Sequence, residues 1–404
     1  MKRSLQRGSG STGLIFTAAS VALIAATYGL ARLGYGLFLP AFSETFALTP
    51  AIGGLLASGA SVTYCVSAVL GFRYAPTHPR VVVVLAGLTA TGGSAGIAAA
   101  PGTTVFVGAV LLAGMGAGFA SPALVELVQR NVNETGQEKL QSVVNSGTGF
   151  GVMAAGTFSL VLGSSWRLAW ALIAVISFSA MIGVLQSDTS RGGSIQSSRP
   201  GSRRPPVPRT RHRSAGLRPL RRPLTAAFIL GIGSSAIWVH GRTLLEGHGG
   251  MAVETSAAAW IALGIGGAAA ALTSSWLARH TLQTTWLVTV LAVALATGMF
   301  AIAPHSIAAS FGAAALFGLA YTATTSVLIT WAAQTAESNA AGTSVLFISL
   351  VLGQALGATL IGALIETLEP GPAFIVAAII CGITALGGPS PAKSQRQVPT
   401  PVPR

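Results

Sequence analysis

The spacing between charges is the tightest constraint on this chain. Stretches free of Asp, Glu, Lys and Arg cover residues 8–31, 45–72, 81–125, 140–166, 168–187, 223–241, 255–278, 281–336, 338–365 and 370–392. A helix crossing the hydrocarbon core needs about 20 predominantly apolar residues, and a charge inside it is costly. Eight of the ten runs fit one helix each. The other two, 81–125 and 281–336, are about twice as long and hold Pro101 and Pro304 near the middle, where a tight reversal fits. Twelve helices are therefore predicted, near 14–40, 51–71, 81–100, 104–128, 142–163, 167–186, 224–245, 256–278, 284–303, 307–333, 340–364 and 371–388. Charged residues make up 8% of the chain, against about 25% in a soluble domain. That excludes a soluble multidomain protein, a disulfide scaffold and a disordered chain. The expected fold class is an all-α membrane protein.

Lys2, Arg3 and Arg7 form a basic start, but the apolar stretch behind them is too long for a cleaved signal peptide. A retained first helix is expected. Cys65 and Cys381 fall inside predicted helices and read as small packing residues rather than a disulfide or metal site.

Threading twelve helices puts residues 1–13, the connector 187–223 and the tail 389–404 on one face. That face receives 21 of the 24 Lys and Arg residues; the three left over are Arg32, Arg167 and Arg242. The excess of positive charge predicts that this face is cytoplasmic, with both termini inside the cell membrane. The connector holds ten arginines among Pro, Ser and Gly, with Asp188 its only acid. Such a segment cannot bury a core and is expected to be disordered. Without aromatic residues or a folded module it predicts no nucleic-acid partner, but a topogenic linker drawn to the anionic headgroups of the lipid bilayer.

The two sides of the connector match. A shift of 206 places Thr49–Arg73 on Thr255–Arg279, and a shift of 204 places Gly114–Val125 on Gly318–Ile329. Two pseudo-symmetric six-helix bundles are expected, at 14–186 and 224–388, with the loop after helix 4 about nine residues longer than its counterpart. Internal repeats of this kind mark transporters with a site near the midplane. With this layout, the basic central connector and the segment Ala31–Phe42 (ARLGYGLFLPAF), the chain resembles the major facilitator superfamily over essentially its whole length. The superfamily's motif after helix 2 is Gly-x-x-x-Asp-Arg-x-Gly-Arg-Arg. Here Gly71 and Arg80 fit it and the acid is absent. The helix 5 antiporter pattern has its glycines (Gly147, Gly149, Gly151, Gly156) without the proline, so it gives no direction of transport. The resemblance implies a monomer in which helices 1, 4, 7 and 10 line a central cavity for a small-molecule substrate.

Small-xxx-small pairs, Gly92/Gly96, Gly114/Gly118, Gly147/Gly151 and Gly353/Gly357, allow close helix contact. They serve either as rocking interfaces between bundles or as ordinary packing.

Arg32 is the sharpest single signal, because a cation inside a span costs roughly 3 kcal/mol on insertion scales. Tyr28 and Tyr35 lie four residues before and three after it, on one helical face. A guanidinium offers a fork for a carboxylate or phosphate; otherwise it bonds carbonyls or an acid such as Glu44, Glu246 or Glu366. Trp238 matches Arg32 under the 206 shift and is expected to face it, and His240 beside it can carry a proton. Tyr321, Thr325 and Gln354 are uncharged candidates for orienting substrate. For coupling or gating the candidates are Glu126, Arg80 and Arg242; Glu126 alternatively pairs with Arg130 one turn on. No P-loop, paired carboxylates or metal-ligand spacing occurs, so neither an enzyme nor a cofactor is expected.

These readings converge on a secondary transporter of a small organic solute. An anion or zwitterion is favoured over a cation, and protons are the candidate coupling ion. The alternative is efflux of hydrophobic compounds, with Arg32 structural. A receptor or scaffold would need a folded connector, and a channel a more polar pore lining.

Overall fold

The computed structural model describes residues 2–163, 165–188, 219–335 and 339–389, and every regular element among them is helical. Helix α1 runs as Lys2–Ile24, a π-helical stretch Ala25–Arg32, and Gly34–Phe46. Then come α2 (Pro50–Tyr74), α3 (Pro79–Ala99), α4 (Thr103–Asn131), α5 (Glu134–Leu162) and α6 (Trp166–Ser187). After the connector, α7 (Arg221–His248) contains π-helical stretches Ala236–His240 and Leu244–His248. The remaining helices are α8 (Val253–Arg279), α9 (Leu282–Ile302), α10 (Ile307–Thr335), α11 (Asn339–Leu368) and α12 (Pro370–Gly387). Among the described residues, eleven helices are long and apolar enough to cross a membrane. The exception is α5, which has the length but dilutes its apolar run with Gln141, Asn145, Ser146 and Thr148.

Local chemistry sets many of the ends. Pro50, Pro79 and Pro370 occupy first turns, where a missing N–H costs nothing. The Thr49 and Thr281 hydroxyls accept from the amides of Ile52 and Thr284. Three boundaries differ from the sequence expectation. Helix α1 begins at Lys2 rather than near residue 14, and α7 begins at Arg221. The long loop expected after helix 4 is only residues 132–133, because α4 continues to Asn131 and α5 starts at Glu134. Polar residues such as Gln137 and Lys139 are good helix formers, so a charge ruler starts α5 too late. With that corrected, α4 and α10 keep a 204-residue offset at both ends, Thr103 with Ile307 and Asn131 with Thr335. Of the connector 187–223, expected to be disordered, residues 189–218 lie outside the described residues, while 221–223 already belong to α7; of the tail 389–404, residues 390–404 lie outside them.

The repeat is visible in the packing. Gly147 and Gly151 press on the Val21 and Ala25 carbonyls of α1, while Gly353 and Gly357 press on Phe228 and Ile232 of α7. Gly114 likewise meets Ala60 of α2, and Gly318 meets Leu263 of α8. Of the two roles weighed for such glycines, these pairs take ordinary packing, since each contact stays within one half. Outward-facing positions are apolar. Val62, Val66 and Val69 on α2, and Val288, Leu291 and Leu295 on α9, are all at least 47% exposed. These stripes recur at helical spacing and suit lipid rather than water.

Away from the basic face, Phe38, Phe42 and Phe46 of α1 wedge between α4 and α6. Phe42 stands 4.8 Å from the Phe106 ring and 5.1 Å from Trp166, edge-on to each. Phe42 is fully buried, so Phe42→Ala is expected to cost about 3–5 kcal/mol. A lowered unfolding temperature in detergent is the check, and an unchanged one would show that the wedge does not support the half.

Candidate functional site

Arg32, Arg167 and Arg242, which threading the sequence leaves off the basic face, have three distinct fates. Arg167 donates to the Ala98 and Ala100 carbonyls, 2.9 Å each, and so caps the end of α3. Arg242 is buried where α1, α5, α7 and α8 meet. Arg32 lies where the two halves face each other.

Arg32 ends the π-helical stretch of α1, closed by a bond from the Leu33 amide to the Tyr28 carbonyl (2.9 Å). Such stretches frequently mark functional sites, because the extra residue re-aims the side chains around it. The Arg32 Nη2 group donates to Gln354 Oε1 of α11 at 2.9 Å. Gln354 in turn donates to the Tyr321 hydroxyl of α10 at 2.9 Å. The guanidinium carbon sits 4.7 Å from the Tyr64 ring centroid, and Tyr64 shares a 2.8 Å hydrogen bond with Tyr28. Trp238 packs edge-on against Tyr321 and Phe317, each with centroids 5.5 Å apart. A hydrogen-bonded chain thus runs from Arg32 in one half to Gln354 and Tyr321 in the other.

Arg32, Tyr35, Ser61, Ser235, Trp238 and Gln354 line a cavity of about 40 Å³. That is room for a few waters and far less than a drug-sized ligand needs. Arg32 Nε is buried beside it without a hydrogen-bond partner, although such donors are almost always satisfied. None of the acids weighed as partners reaches Arg32. Glu246 pairs with Arg242, Glu366 accepts from the Ala51 amide (2.9 Å), and Glu44 is exposed at the end of α1.

The seam is closed on the side away from the basic face. A methyl carbon on Gly36 would stand 1.9 Å from the Trp238 carbonyl oxygen, and one on Gly54 2.1 Å from that of Ala358. Gly156 and Gly264 bring α5 against α8 in the same way. Toward the basic face α2 still meets α11, where Cys65 approaches the Ile348 carbonyl (3.9 Å), whereas the last stretch of α8, Ser274–Arg279, buries nothing.

Of the sequence candidates, the structure gathers Tyr28, Arg32, Tyr35, Trp238, Tyr321 and Gln354. Tyr35 donates to the Gly53 carbonyl (3.0 Å) while lining the cavity. His240 is buried and bonds the Ala358 carbonyl at 3.1 Å, off the cavity. The Thr325 hydroxyl closes on Thr322 of its own helix (2.8 Å). The weighed Glu126–Arg130 pair does not form, because Arg130 reaches across to the Pro76 carbonyl (2.8 Å). Arg80 pairs with Asp188 (3.3 Å) and donates to Leu185 (2.9 Å), tying α3 to the end of α6 within one half. An acid at the end of α6 therefore partners Arg80 where the loop motif lacks one. Sequence reasoning missed Tyr64. Its one available signal was a tyrosine in the middle of the helix, among small and aliphatic residues, while the other aromatics Phe72 and Tyr74 lie at its end.

A helical membrane bundle of two matched halves, closed around a half-buried cation at their seam, has the architecture of a secondary transporter of small solutes. The Major Facilitator Superfamily model matches residues 21–351, and the chain belongs to that family. Among solved structures, it is similar to a D-xylose-proton symporter at 12% identity, covering 92% of this chain and 96% of that one, with a TM-score of 0.72. A POT family transporter in complex with 5-aminolevulinic acid gives 13% identity, 93% and 94% coverage and a TM-score of 0.72. The nucleoside transporter NupG gives 12%, 93% and 97%, and 0.69. No curated protein sequence matches the chain.

Proposed function

We propose that the protein is a secondary active transporter that carries a small organic anion or zwitterion by alternating access, coupled to protons. In this reading it works as a monomer in the cell membrane, its halves divide at the 187–223 connector, and the basic face with both termini is cytoplasmic. Arg32 holds the anionic group of the substrate. Gln354 and Tyr321 orient it, and Tyr28, Tyr35, Tyr64 and Trp238 shape the space around it. The observation that carries this is the buried Arg32 Nε donor, unpartnered beside a cavity at the seam. A cation kept in a span without an acid needs an anion to complete it.

The test is a thermal-shift screen of the purified protein against organic acids, amino acids, amines and neutral sugars, followed by uptake into proteoliposomes. A ligand at 100 times its Kd adds about 2.7 kcal/mol of stability. Acids or zwitterions are expected as hits; a screen that returns only amines contradicts the reading. The rings of Trp238, Phe317 and Tyr321 favour a second reading, efflux of hydrophobic compounds. It predicts raised drug tolerance in a pump-deficient strain that survives Arg32→Ala.

A further inference from the structure

Arg242 presents a second cation at the seam, this one buried and differently equipped. It is 3% exposed and lies near the closed end of the seam. Its Nη1 donates to the Leu37 carbonyl of α1 (2.7 Å) and to Ser159 Oγ of α5 (2.7 Å), both in the first half. Its Nη2 donates to the Val253 carbonyl (3.0 Å) and its Nε to Ser256 Oγ (2.9 Å), both on α8. One carboxylate balances it: Glu246 Oε1, 2.5 Å from Nε, which also accepts from Ser256. Glu246 sits in the π-helical stretch that ends α7, with its side chain 16% exposed. It therefore reaches the solvent of the closed face, while the cation it balances does not.

The other charged or titratable groups at this end are few. Glu254 on α8 adds its field to Arg242 without an ion pair. His248 ends α7 and lies 5.7 Å, ring to ring, from His305 in the turn before α10. Glu366 on α11 is bonded to the Ala51 amide, and Glu44 on α1 and Glu369 before α12 sit at helix ends. His240, two residues before Arg242 on α7, is held on the Ala358 carbonyl, and Arg167 of α6 is held on the end of α3; from α5 the contact is Ser159, which does not titrate.

We propose that Glu246 is a proton-binding site that controls this latch. Ionised, it neutralises Arg242 and lets the guanidinium bridge the halves in a dry seam. A proton taken from the solvent of that face converts the carboxylate to a neutral acid. Arg242 is then left as an uncompensated charge in a nearly dry site, which is unfavourable until the seam parts and water reaches it. Proton binding and opening of that face become one equilibrium. This rests on the transporter reading but not on the anion assigned to Arg32.

The experiment places nitroxide labels at Thr45→Cys and Ile307→Cys, exposed positions on opposite halves of the closed face. The background carries Cys65→Ser and Cys381→Ser, and the protein is reconstituted in liposomes. Pulsed electron resonance then reads the distance at pH 4 and pH 8 with no substrate present. The parent is expected to gain a longer-distance population at pH 4. Glu246→Gln should show that population at both pH values, and Glu254→Gln should behave as the parent. The apolar double variant Arg242→Met/Glu246→Leu guards against misfolding of a single one and should give a pH-independent distance. A parent insensitive to pH, Glu246→Gln remaining short at pH 8, a response lost in Glu254→Gln, or one retained in the double variant would each overturn the proposal. If the distance ignores pH but moves with an organic acid, transport stands and this proposal falls.

Discussion

Gly36→Ala is expected to open the closed face and to slow transport severely, although it adds one methyl group. The added carbon would fall 1.9 Å from the Trp238 carbonyl oxygen and 3.0 Å from the Val239 Cα, both backbone atoms of α7 that cannot rotate away. Overpacking of this kind costs about 1–3 kcal/mol. In a two-state equilibrium that is a roughly 5- to 150-fold loss of the closed population. Because the strain exists only when the halves meet, insertion and folding of the protein should be preserved. The Thr45–Ile307 distance should lengthen at pH 8, and Gly54→Ala, facing Ala358, should do the same from the neighbouring seam. Gly108→Ala, with open space around that position, serves as the matched control. A closed-face distance and transport rate in Gly36→Ala equal to those of the parent would show that α1 and α7 need not approach so closely.

Arg32→Ala should remove most of the substrate affinity while leaving the fold intact. A hydrogen bond to a charged group is worth about 1.5–3 kcal/mol, which corresponds to a roughly 10- to 150-fold rise in the apparent dissociation constant. Stability should change little or rise, because the variant also removes a buried donor without a partner and a cation from the membrane core. Arg32→Lys keeps the charge but loses the planar fork and the stacking on Tyr64. It should therefore bind with intermediate affinity. The measurement is a thermal-shift or uptake titration with the best acid from the ligand screen. Equal affinity in parent and Arg32→Ala would return Arg32 to a structural role and leave the hydrophobic-efflux reading ahead.

The candidate site was partly legible before folding, and the reason differs by residue. Arg32 stood out because a cation in an apolar run is expensive wherever it points. Its neighbours Tyr28 and Tyr35 followed from helical spacing along one segment. Trp238 followed from the internal repeat, which carries a position in one half onto its equivalent in the other. Tyr64 was not legible, because its importance comes from the 4.7 Å approach of Arg32 across a helix interface. The two roles of Arg242 and Arg167 were equally hidden. Both are arginines at helix ends on the same face, yet one caps α3 and the other bridges α1, α5, α7 and α8.

Charge spacing, composition and the internal match between the two sides of the connector determined that this chain is a bundle of membrane helices in two repeated sets. Those features follow from transfer free energies, which are summed residue by residue along the chain. The lateral arrangement is another matter. Which glycines seal the seam, which carboxylate balances Arg242, and that Arg32 meets Gln354 rather than an acid were decided by tertiary structure. In lipid, helix association depends on the shape of close contacts rather than on burial of apolar area, and shape complementarity is written in no single segment.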